Sequence, residues 1–178
     1  MATKTHTPAI PWQDRWNEPT IEALLKSMNE QHRRVTKTMM KEVHKLLESE
    51  PVLKYYDVSW NWTIHYAGIG LRGTDSLVMA YIVPDPVEGP LVCVPLTEDT
   101  LTALPRRRLT RFIREGIDTA KRAIHLFWAK WRPTSVGEAE LIVDVIKRKR
   151  NILRTRMDEH NAERYGPKEA DEAIAETV

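Results

Sequence analysis

Cysteine, glycine and phenylalanine are scarce in this chain, long apolar runs are missing, and charge of one sign barely exceeds the other. The one cysteine among 178 residues, Cys93, excludes an internal disulfide and any multi-cysteine zinc site or iron–sulfur cluster held by this chain alone. A reducing, cytoplasmic setting is the expectation. No apolar stretch approaches the roughly 20 residues that span a bilayer, and charges and prolines stand where a secretory signal would carry its apolar core. Neither membrane insertion nor secretion is expected. With 42% hydrophobic residues, the chain has the size and the apolar content of one domain that removes roughly 70% of its unfolded surface from water.

The net charge of +2 conceals a segregation. Cut before Pro105 and after Met157, the chain carries net −3 over residues 1–104, +10 over 105–157 and −5 over 158–178. A basic block followed by an acidic tail binds polyanions, shields itself, or forms the solvated side of helices, which is the commonest case.

Residues 1–17 hold Pro8, Pro11, Trp12 and Trp16 without a period and read as an irregular arm whose tryptophans pack onto the body. Asn17, Pro19 and the spacing Ile21, Leu24, Leu25, Met28 predict a helix start capped at Asn17. A second helix is predicted from Glu30 to Glu48, with Val35, Met39, Val43, Leu46 and Leu47 inward and Pro51 as its stop. From Val58 to Tyr66 apolar and polar residues alternate, which predicts a half-buried strand with Trp60 and Trp62 on one face. Leu77–Val83 and Leu91–Leu96 are further strands, and short links favour an antiparallel meander. A helix is predicted from near Pro105 through Ile117, and a fourth strand over Ile124–Arg132. Ser135 and Glu138 form a capping box that opens a closing helix, with Ile142, Val145, Ile146, Ile152 and Leu153 inward. The expected organisation is an arm (1–17), a single α+β domain (18–157) and an acidic, frayed tail (158–178). Its fold is a mainly antiparallel sheet of about four strands with helices packed on one face.

Chemistry is sparse. Gly68-Ile-Gly-Leu-Arg-Gly73 matches the phosphate-cradling pattern, but it leads into a strand rather than a helix and no acidic ribose partner follows, so its glycines read as turn residues. His65 and His125, both in predicted strands, are the candidates for a two-histidine corner of a metal or acid–base site formed across a sheet, although each reads first as a surface or hydrogen-bonded strand residue; no His pair has helical metal-ligand spacing, and no metal or cofactor is expected. Cys93, between Val92 and Val94, reads as a small core hydrophobe, because a nucleophilic cysteine needs an activating base. An enzyme built on His65, His125 or Cys93 is therefore the least favoured reading. Trp60, Trp62 and Trp128 are candidates for a pocket wall, since tryptophan combines a large apolar body with a donor. Arg107, Arg111 and Arg114 on one predicted helix, with Lys147, Arg150 and Arg154 on another, are the candidates for a polyanion surface.

Several segments, taken in order, carry a resemblance: Pro19-Thr20, Trp60-Asn-Trp-Thr-Ile-His65, Val83-Pro84, Pro90-Leu-Val-Cys-Val94, Leu104-Pro105, Ala120-Lys121, Trp128–Trp131 and Asp144-Val-Ile-Lys147. Over residues 18–150 the chain resembles small bacterial domains of the YdhG-like type. The resemblance implies a compact α+β domain with helices against an antiparallel sheet, and it supplies no catalytic residues. The function expected from these readings is a non-catalytic binding or interaction domain. A small ligand or protein is the preferred partner, and nonspecific nucleic-acid binding through the basic residues is the alternative.

Overall fold

The computed structural model describes residues 11–56, 60–68 and 77–175, with backbone only at 161 and from 163 onward. Val58 and Ser59, the start of the predicted strand Val58–Tyr66, and Gly70 and Gly73 of the glycine pattern lie outside the described residues. Among the described residues the fold is α+β: five helices and one open six-stranded sheet in which every pairing is antiparallel.

The chain begins with α1 (Ile21–Ser27) and α2 (Glu30–Leu47). Thr20, not Asn17, caps α1: its side chain accepts from the Ala23 N–H, because Pro19 lies outside the helix rather than in its first turn. Asn29 caps α2, and Glu48 ends it in a left-handed conformation at φ 53°. Four strands then form a meander: β1 (Val52–Tyr56), β2 (Asn61–Gly68), β3 (Leu77–Val83) and β4 (Leu91–Thr97). After α3 (Glu98–Ala103), a single 3-10 turn (Arg106–Arg108) and α4 (Arg111–Asp118), the hairpin of β5 (Lys121–Ala123) and β6 (Leu126–Trp131) returns to pair with β4. The closing helix α5 runs from Val136 to Ala175. Its capping box forms: the Glu138 N–H donates to Ser135 Oγ at 3.2 Å, while the Glu138 carboxylate accepts from the Thr134 N–H at 2.6 Å.

The sheet has six strands where four were expected. β1 and β5 are the two edges, five and three residues long; β1 is only partly buried and β5 is exposed, and neither is long enough to carry a readable hydrophobic period. The predicted helix from Pro105 is broken into the 3-10 turn and α4, since Thr110 caps α4 by accepting from the Ile113 N–H.

Helices cover one face of the sheet: α2 lies over β2, α5 over β3 and α4 over β6. Ile64, Tyr66, Ile82, Val92, Val94, Ala129 and Trp131 meet Met39, Val43, Ile113, Ile142 and Ile146 there in the main core. A bulge between Tyr66 and Ala67 turns Met79 and Ala80, neighbours in sequence, to this same face. The opposite face carries a second cluster of Trp60, Tyr81, Val83 and Cys93, with Trp12, Tyr56 and Trp128 packed against it. Trp128 and Trp131 therefore occupy opposite faces, as their spacing on a strand requires.

Candidate functional site

The most distinctive local chemistry lies where β3 and β4 part. They pair only at Tyr81 with Cys93, Ile82 with Val92 and Val83 with Leu91, whereas β4 stays paired to β6 as far as Thr97. Beyond Tyr81 the start of β3 and the end of β4 have no common register. Pro95 stands on the β4 side of this opening, where a residue without an N–H leaves no ladder donor stranded. The opening holds a cavity of about 260 Å³, walled by Tyr81, Pro95 and Trp128, bounded by Thr97 and Thr100, with Lys149 of α5 entering from the helical side.

Lys149 is 3% exposed. Its Nζ donates to the main-chain oxygens of Val78 at 2.9 Å and Met79 at 3.4 Å, the carbonyls left over where β3 departs from β4. Among the described residues no carboxylate lies within ion-pair reach of it. Burial pulls its pKa down from the ordinary 10.5 to about 7, which brings the neutral amine into the range near neutral pH. Lys149 is not among the sequence candidates, yet its position carries a signal: Ile142, Val145, Ile146, Lys149 and Leu153 follow the helical i, i+3, i+4 spacing, so Lys149 occupies a slot in the apolar stripe of α5.

The aromatic wall is continuous. Tyr81 lies 5.0 Å from Trp60 and 5.7 Å from Trp128, and Trp60 lies 5.3 Å from Trp128, all as ring centroids. Lys130 caps the outside, its Nζ 5.4 Å from the Trp60 ring. Across four strands His65, Tyr81, Cys93 and Lys130 form one register row. Burial pushes the Tyr81 phenol and the Cys93 thiol up to about 12, so both keep their protons.

Of the pocket-wall candidates, Trp128 lines the cavity, Trp60 packs behind it against Trp128 and Tyr81 without lining the cavity, and Trp62 lies elsewhere. Trp60 precedes β2, and Asn61 with its positive φ of 52° breaks the alternation that would have put Trp60 and Trp62 on one face. Trp62 packs edge-on to Tyr55 and donates its indole N–H to the Asp14 carbonyl at 2.6 Å. Trp12 of the arm packs at the second cluster, whereas Trp16 is exposed.

His65 stacks on Tyr81, and burial together with the Lys54 ammonium lowers its pKa. Tyr81 separates it from Cys93 by a strand, which puts the two backbones roughly 10 Å apart. His125 is exposed in the turn between β5 and β6, remote in topology from β2. The structure thus does not join His65, His125 and Cys93 in one site. Among the described residues no three His, Cys, Asp or Glu side chains gather as metal ligands, and no helix is long and apolar enough to cross a membrane.

The basic candidates divide. Arg107 stands on the 3-10 turn, and Arg111 and Arg114 on α4, with Arg111 paired to Glu115 at 2.7 Å. Lys147, Arg150 and Arg154 belong to α5, where Arg150 leans toward α2 and donates to the Leu46 carbonyl. Because α5 lies over the middle of the sheet, with α2 on one side and α4 on the other, the two rows border different flanks. No family model, curated protein or solved structure matches the chain.

Proposed function

We propose that this protein is a small-ligand-binding α+β domain whose ligand sits in the opening between β3 and β4, its apolar body against Tyr81 and Trp128 and its one polar group toward Lys149. The observation that carries this reading is a buried lysine without a carboxylate at the base of an aromatic-walled cavity. Burying an amine so placed costs stability that an apolar side chain of similar volume would not cost. The volume, about 260 Å³, exceeds the roughly 150 Å³ that holds benzene and falls below the range of about 300–1,000 Å³ usual for drug-sized ligands. A molecule of one ring fits that interval.

The reading is tested by titrating the protein with single-ring compounds such as benzyl alcohol while following tryptophan fluorescence. Saturable quenching is expected, lost in Trp128→Ala and kept in Trp16→Ala, whose side chain is exposed. If no single-ring compound gives a saturable change, the reading fails.

A further inference from the structure

The same opening suggests what the ligand's polar group is, an inference that rests on the reading just given. A neutral amine has two N–H donors and one lone pair. Nζ of Lys149 has two acceptors, the Val78 and Met79 carbonyls at 2.9 and 3.4 Å. Once both donors are used, the lone pair is the remaining free valence of a nitrogen that belongs to the cavity lining. A carboxylate ligand would bring a second charge into a space walled by Tyr81, Pro95 and Trp128, with desolvation charged against both ions. A carbonyl ligand brings none. Burial, which lowers the pKa to about 7, keeps a large share of the amine in the nucleophilic form.

We infer that Lys149 captures a small apolar aldehyde as a reversible imine. In this step the nitrogen lone pair forms a bond to the carbonyl carbon and the carbonyl π pair moves to oxygen. The resulting carbinolamine then loses that oxygen as water, together with the two hydrogens that were on nitrogen. No oxidant or reductant takes part. The neutral imine so formed has no N–H; uptake of one proton from solvent gives the protonated imine, and its single N–H has the Val78 carbonyl as the nearer acceptor.

The test uses the full chain with a limiting amount of benzaldehyde and sodium cyanoborohydride, which reduces an imine to a stable secondary amine. Peptide mapping by mass spectrometry then finds the benzyl group that has replaced a hydrogen on nitrogen. The expected result is labelling of Lys149 at least tenfold above the exposed Lys54 and Lys130, with Trp128→Ala lowering that excess and Lys149→Met abolishing it. Mapping the unaltered protein decides the question even if Lys149→Met does not fold. Label spread over surface lysines without an excess at Lys149 overturns the inference. If benzyl alcohol binds saturably in that case, the binding reading survives alone; if it does not, both fall.

Discussion

At the scale of single residues, two contacts show how little slack the core contains. Gly116 of α4 faces Trp131 so closely that an added Cβ would stand 2.0 Å from the indole nitrogen, the same atom that donates to the Ile113 carbonyl at 3.2 Å. Gly116→Ala is expected to displace the indole and cost about 1–3 kcal/mol, the usual penalty for overpacking, read as a lowered denaturation midpoint. The opposite case is Lys149, where a charge occupies a place suited to an apolar side chain. Its shift from 10.5 to about 7 corresponds to several kcal/mol against the charged form, at about 1.4 kcal/mol for each tenfold change in proton affinity. The bonds to the Val78 and Met79 carbonyls offset part of the remaining burial cost, so Lys149→Met removes the charge but strands two acceptors.

At the scale of elements, the turns decide which faces the side chains reach. Ala123 pairs with Leu126, so Ile124 and His125 form a two-residue hairpin loop, and Ile124 holds a φ of 58° that β-branched residues avoid. Its side chain is 84% exposed and gains little from packing in compensation. Ile124→Asn, which suits that conformation, is expected to raise stability by about 1 kcal/mol in chemical denaturation, with no loss of ligand binding. Thr97 ends β4 and caps α3, accepting from the Thr100 N–H at 3.2 Å and sharing a hydroxyl contact at 2.8 Å. Both threonines border the opening, so Thr97→Ala should cost about 1 kcal/mol and also weaken quenching by benzyl alcohol.

These elements also show what was readable. The amphipathic period of α2, the capping box of α5 and the apolar runs of β3 and β4 are local properties, and each element formed where its pattern lay. β5 is three exposed residues that become a strand only by pairing with β6, and α3 is six residues defined by a cap. Neither has enough apolar periodicity to be seen in advance. Trp60 was misplaced for a different reason: alternation assumes extended backbone throughout, and Asn61 departs from it.

At the scale of the whole molecule, the buried ionisable groups set an optimum of stability on the alkaline side. Between pH 7 and 10.5 the unfolded chain holds a proton at Lys149 that the folded protein has released, so stability rises with pH in that window. Cys93, Tyr66 and Tyr81 act in the other direction. Their folded values of about 12 exceed the ordinary 9.0 and 10.0, so the folded protein holds protons that the unfolded chain gives up, and stability falls from about pH 9 upward. The melting temperature is expected to rise from pH 7 to near pH 9 and then to fall. Lys149→Met should lose the rise and keep the fall, and a rise that persists in this variant would mean another group is responsible.

The sequence by itself determined the α+β class, the apolar faces of the main helices and the isolation of its single cysteine, because these follow from composition and from periods of two and 3.6 residues. Only the tertiary structure decided that the concentrated positive charge borders two flanks, one beside α2 and one beside α4. It also decided that Lys149, which stands in the apolar stripe of its own helix, meets an opening in the sheet. The reason is one of range: a period records which side of an element is buried, whereas the opening between β3 and β4 is met by a helix residue as many as 71 positions away.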